Sequence, residues 1–119
     1  MKQGPENEYL RSLIVKLERS SKKNKAKIWE ALAEKLRAPK RKRTSVNLYK
    51  INKNTKVNDV VVVPGKVLGE GSLDHIVTIA AWNFSKSALN KVSKAGGKCI
   101  EIPELIEQSP KGTNVKIMQ

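Results

Sequence analysis

The chain has 119 residues, 39% hydrophobic but only 4% aromatic, and its 24 Lys and Arg against 11 Asp and Glu give a net charge of +13 and a sequence pI near 10.0. That length suits one domain with a modest core of Val, Ile, Leu and Ala, and that charge points to a polyanionic partner, nucleic acid first. No run approaches the ~20 apolar residues that span a bilayer, "MKQGPENEYL" lacks the apolar stretch and cleavage site of a signal peptide, and the single Cys99 forbids an intrachain disulfide, so a cytosolic protein with no membrane partner is expected.

In chain order, Leu10, Leu13, Ile14 and Leu17 recur at the spacing of one helical face, which predicts an amphipathic helix from Asn7 to about Ser20, with Pro5 and Asn7 suiting its start. "SSKKN" interrupts the pattern, and Asn24 is positioned to cap a second helix over "KAKIWEALAEKLR", in which Ile28, Leu32 and Leu36 share a face with help from Trp29 and Ala31. Pro39 should end it, since it has no N–H to donate. The two helices form a hairpin over residues 1–37 whose outer face carries Lys22, Lys23, Lys25, Lys27 and Lys35. A basic arm occupies 38–45, and an α/β core fills 46–119.

The core is expected to open with a short strand in "SVNLYKI" and a polar turn region in "NKNTKVND". The four valines of "DVVVVPGKVLG" read as a strand buried on both faces, interrupted at Pro64-Gly65 by a bulge or bend. After a turn at "GEGS", "IVTIAAW" is a second apolar strand. Ser85 can cap a helix with Leu89 and Val92 inward and Ala95-Gly96-Gly97 at its stop, and "KCIEI" is the next strand. Strand, helix, glycines and strand make a βαβ crossover with parallel strands. "PELIEQSP" reads as a short helix begun by Pro103, and "NVKIM" as a last edge strand. The fold class is therefore mixed α/β: one compact domain with a βαβ unit and bulged strands, preceded by a helical hairpin and a basic arm.

Charge is unevenly divided. Residues 1–54 hold 16 basic and 5 acidic side chains, whereas 55–119 hold 8 and 6. The run Lys40, Arg41, Lys42 and Arg43 is the strongest functional signal, because adjacent cations repel one another by order 1 kcal/mol per pair in water and a phosphate backbone reverses that sign. RNA is favoured over DNA, since an exposed helical face of mostly Lys and Glu carries little base-reading information; a DNA-binding regulator using the hairpin is the alternative. Ser85, Lys86 and Ser87 at a helix start could meet a phosphate, with plain capping by Ser85 as the simpler account.

Catalytic chemistry finds no support. "LGEGSLDH" lacks the third glycine and following helix of a dinucleotide site, so a tight turn with positive φ is expected there. His75 has no triad around it and should make a structural hydrogen bond, Cys99 should pack as a small apolar side chain, and one Cys with one His cannot build a zinc site. Glu101, Glu104 and Glu107 fit strand-face and helix-surface positions. Trp29 and Trp82 should be core residues first and base-stacking platforms second, Trp82 the better placed for a partner.

Taken together, "KLRAPKRKRTSVNLYKI", "DVVVVPGKVLGEGSLDHIVTIAAWNFSKSALNKVSKAGGKCIEIPEL" and "SPKGTNVKI" resemble the archaeal and eukaryotic large-subunit ribosomal protein family eighteen-e, related to bacterial large-subunit protein fifteen, over nearly the whole chain. The resemblance implies a non-catalytic structural component of the large ribosomal subunit, with large-subunit ribosomal RNA and neighbouring ribosomal proteins as partners and no cofactor or small-molecule substrate. It also implies an archaeal source and an RNA-facing signature at Pro39 through Arg43 with Val46, Asn47 and Leu48. The expected RNA-binding set is Lys22, Lys23, Lys25, Lys27, Arg37, Lys40, Arg41, Lys42, Arg43, Asn47, Lys50, Lys66 and Lys86.

Overall fold

Four consecutive valines can all be buried only in a strand covered on both faces, and that strand organises the molecule. The computed structural model describes residues 5–37 and 45–119, with the backbone alone for 5–7; the expected basic arm thus lies outside the described residues except for Ser45. The elements are α1 (Pro5–Asn24), α2 (Lys27–Arg37), β1 (Ser45–Asn47), α3 (Leu48–Asn54), β2 (Asp59–Leu68), β3 (Val77–Phe84), α4 (Lys86–Lys94), β4 (Lys98–Glu101), α5 (Ile102–Gln108) and β5 (Val115–Ile117). The strands form one parallel sheet in the order β1-β2-β3-β4, with β5 pairing beside β1 on the same edge of β2.

Alternation along β2 feeds two cores. Val62 joins Ala80 and Ile100 under α1, α2 and α5, where Leu13, Leu17, Trp29, Leu32, Leu36 and Leu105 pack. Val61 and Val63 turn to the opposite face, where they meet Leu48 and Ile51 of α3 and Ala88 and Val92 of α4. The register between β2 and β3 shifts between Val63 and Lys66, so Pro64-Gly65 does form the expected bulge.

The hairpin differs from expectation at its turn. α1 runs on through "SSKKN", and Asn24 ends that helix instead of capping the next one: its Nδ2 donates to the Ser20 carbonyl at 3.1 Å. The reversal falls at Lys25, which takes φ +53°, and Ala26 N–H then donates to the Ser21 carbonyl at 3.0 Å. On α2 the small inward residue is Ala33, while Ala31 is exposed. Trp29 is fully buried and its indole N–H donates to the Pro110 carbonyl at 2.7 Å, tying the hairpin to the chain before β5.

Two further corrections concern the core. Only Ser45–Asn47 of "SVNLYKI" is strand; Leu48 through Ile51 turn into α3, because a helix lets Leu48 and Ile51, three residues apart, enter the core together while Tyr49 and Lys50 stay outside. On α4, Ser85 caps as expected, its Oγ accepting from Ala88 N–H at 3.1 Å, but Ala88 and Val92 make the inner face and Leu89 is exposed. The i, i+4 pair is Ala88 with Val92, one position back from the larger leucine. β3 and β4 flank α4 and pair in parallel, as the βαβ reading requires, while β4 ends at Glu101 and Ile102, expected in the strand, opens α5 with Pro103 in its first turn.

Gly96 and Gly97 stop α4 for different reasons. Gly96 has φ +86°, whereas a Cβ on Gly97 would lie 2.3 Å from the Val77 carbonyl oxygen and 3.1 Å from Val92 Cγ1. Close approach to β3, and no positive φ, is what excludes a side chain at Gly97. Gly97→Ala should therefore lower stability by about 2 kcal/mol or more, the cost of forcing backbone and core apart. Gly96→Asn, at a left-handed position that asparagine tolerates, should cost less. Urea unfolding of the two variants checks the order.

Candidate nucleic-acid interface

The expected RNA-binding residues separate into two groups along the sheet direction. Lys22, Lys23, Lys25 and Lys27 are exposed around the α1–α2 turn. Lys66 and Lys86 are exposed at the carboxyl end of the sheet, where Ser45, Lys66 and Asn83 lie abreast on β1, β2 and β3 and Lys86 opens α4. The chain therefore enters β1 from the 38–44 segment directly beside Lys66. Lys40, Arg41, Lys42 and Arg43 lie outside the described residues.

Several other positions are engaged within the protein. Arg37 pairs with Glu18 across the hairpin. Lys50 Nζ donates to the Gln119 carbonyl at 2.5 Å, and Asn47 Oδ1 accepts from the Glu70 N–H at 3.2 Å. Val46 and Leu48 are core residues, 1% and 0% exposed, and so face away from any RNA. Asn47 between them is the one member of that triplet that reaches the surface, and it holds the turn after β2.

That turn is closed. Tyr49 N–H donates to the Glu70 carbonyl at 3.0 Å, and Lys91 Nζ donates to both the Gly69 and Gly71 carbonyls at 2.7 Å. Gly71 has the expected positive φ of 93°, while a Cβ on Gly69 would fall 2.3 Å from Ser87 Oγ. The glycines thus admit α4 and α3 against the turn. Lys91, which the sequence reading passed over, fixes this loop together with Asn47; no sequence pattern marked it, because its carbonyl partners lie some twenty residues away and meet it only in the fold.

The remaining reactive groups are structural. His75 Nε2 shares a 2.8 Å hydrogen bond with Thr55 Oγ1, and Thr55 also donates to the Ile51 carbonyl at 2.6 Å, so the pair closes the end of α3. Trp82 is half-buried, and its ring centroid lies 5.1 Å from that of Tyr9. Burial first, then the nearby Glu101 carboxylate, pushes the Tyr9 hydroxyl above its ordinary value. Partial burial likewise pushes the Cys99 thiol up to about 11. Among the described residues no three His, Cys, Asp or Glu gather as a metal site would require, and no helix is long and apolar enough to cross a membrane.

The hairpin does not suit a DNA groove. The outward face of α2 carries Lys27, Glu30, Ala31, Glu34 and Lys35, so two carboxylates stand between its lysines where a recognition helix would meet phosphates and base edges.

The described residues offer exposed cations at the hairpin turn and at the carboxyl end of the sheet, and over the whole chain residues 2–119 match the family model described as ribosomal protein 60S L18 and 50S L18e. The chain belongs to this family. The large ribosomal subunit protein eL18 of Sulfurisphaera tokodaii is 49% identical over 98% of this chain and 95% of its own length. Its counterparts in Sulfolobus acidocaldarius and Methanoregula boonei are 46% and 45% identical, covering 100% and 95% of the chain and 99% and 93% of their own lengths. The resemblance read from the sequence is thus correct, and an L18e-family chain is a ribosomal protein and not an enzyme.

Two consequences can be measured. Lys91→Met should lower stability by about 2 kcal/mol, since two charge-assisted hydrogen bonds are lost, and should expose residues 69–72 to proteolysis. With its thiol near 11, Cys99 in the folded L18e-family chain should react with iodoacetamide at pH 8 on the order of 100-fold more slowly than free cysteine, and urea should abolish the difference.

Proposed function

We propose that this chain is a structural constituent of the large ribosomal subunit in the cytoplasm, holding folded large-subunit ribosomal RNA through phosphate contacts beside neighbouring ribosomal proteins. The single observation that carries the reading is the near full-length match to the L18e family. Chemistry supports it: a net charge of +13, concentrated in the first half of the chain, suits a partner whose condensed counterions are released on binding.

In this reading the sheet is the scaffold and the 38–45 segment is the basic arm, joined to it at Ser45, which pairs beside Lys66. Lys40, Arg41, Lys42 and Arg43 neutralise phosphates. Lys22, Lys23, Lys25 and Lys27 do so at the hairpin turn. Such contacts fix position and orientation and leave sequence unread, as a protein bound to one preformed RNA shape requires.

Replacing Arg41 and Arg43 with Ala should weaken binding to large-subunit ribosomal RNA and make the slope of log affinity against log salt shallower by about 1.5, with thermal unfolding unchanged. A large fall in melting temperature would assign those arginines to the fold. Equal wild-type affinity for ribosomal RNA and for duplex DNA of matched length at moderate salt would remove the RNA reading.

A further inference from the structure

The outward face of α1 carries a cationic stripe of which the reading above uses only the lysines at its C-terminal end. Arg11, Arg19, Lys22 and Lys23 are all exposed there, and Val15, 43% exposed, lies between the arginines as an apolar floor. Arg11, Val15, Arg19 and Lys23 follow one another at intervals of four residues, one above the next along the helix. Glu8 bounds the stripe at its N-terminal end.

Among the described residues, no ion pair accounts for this arrangement. The ion pairs that α1 makes among the described residues are Lys16 with Glu107 at 3.8 Å and Glu18 with Arg37, and neither involves the four stripe cations. Arg19 instead has Lys16, Lys22 and Lys23 as its helical neighbours, and like charges at these spacings destabilise a helix by a few tenths of a kcal/mol each. Lys22 and Lys23 complement the helix dipole in the last turn, but Arg11 stands in the N-terminal half, where the dipole gives a cation nothing.

The stripe also joins the two basic groups. Near its start, Tyr9 stacks on Trp82 and its hydroxyl reaches Glu101 Oε1 at 3.4 Å, which puts the beginning of α1 beside the carboxyl ends of β3 and β4. Its end is the hairpin turn, where Asn24 borders a hollow with Ser109 through Thr113, the segment leading into β5. From Arg11 to Lys23 the helix rises about 18 Å.

We infer that the outward face of α1, through Arg11 and Arg19 over the Val15 floor, is a further phosphate-contact surface for the same ribosomal RNA, linking the carboxyl-end group to the hairpin-turn group at Lys23 in one track. The inference rests on the RNA reading above and adds two arginines that reading does not use. Arginine suits this role because its planar fork can hold phosphate oxygens in pairs.

The test is the double replacement Arg11→Gln and Arg19→Gln in the full chain, titrated against transcribed large-subunit ribosomal RNA over a range of salt. The expected result is about fivefold or greater loss of affinity at moderate salt, a slope shallower by about 1.5, and an unchanged or raised melting temperature because like charges have been removed. Arg11→Lys with Arg19→Lys should keep the slope. If the wild type binds this RNA and the double Gln variant reproduces its affinity and slope, the α1 surface is refuted while the RNA reading stands. If the wild type itself fails to bind, the RNA reading falls and the inference with it. Cross-linking of α1 to a protein neighbour and to no RNA, in assembled subunits, would also overturn the inference.

Discussion

Burial of one strand on both faces is the constraint from which the other elements follow. β2 pairs with β3 along one edge and with β1 and β5 along the other, and its valines point alternately into the two cores. A strand this apolar is stable only if helices cover both sides, which is why α1, α2 and α5 lie on one face and α3 and α4 on the other. The Pro64-Gly65 bulge lets the strand continue as Lys66–Leu68 after its continuous valine run has ended. This second part pairs with β1 and leaves Lys66 exposed where the chain arrives from the basic segment.

The same scaffold sorts the charges. Cations that meet a carboxylate or carbonyl of the protein serve the fold: Arg37 with Glu18, Lys116 with Asp59 at 3.1 Å, and Lys91 with the turn after β2. The Asp59 carboxyl is held below its ordinary range, chiefly by the Lys56 backbone N–H and then by Lys116, which marks that pairing as part of the sheet edge. Among the described residues, the lysines at the hairpin turn and at the carboxyl end of the sheet make no such use of their charge. The proposed function needs such a division, since a surface that is to meet RNA must be preformed yet electrostatically unsatisfied beforehand.

Much of this was legible in the chain itself. Periodicity gave both hairpin helices, the valine run gave a doubly covered strand, the Pro-Gly pair gave the bulge, and Ser85 with the double glycine bracketed α4. Family membership was also readable, because long ordered blocks constrain identity far more than any short motif does. The errors have local causes. Asn24 has the chemistry of a cap for either helix end, and only the left-handed turn at Lys25 decides between them. "SVNLYKI" satisfies strand alternation over a few residues and helical spacing as well, and tertiary packing of Leu48 and Ile51 selects the helix.

Composition by itself pointed to a polyanionic partner, the valine pattern determined the two-sided burial of β2, and the resemblance of long ordered blocks gave the family, because these depend on summed charge and on residue order along one dimension. Only the tertiary structure decided which cations remain available, since that depends on what each long side chain finds across the fold: Glu18 for Arg37, two loop carbonyls for Lys91, and no described carboxylate for the stripe on α1. It also decided that Gly97 is required by its contact with β3 and not by its φ, because the distance from a would-be Cβ to the Val77 carbonyl exists only once strand and helix have packed.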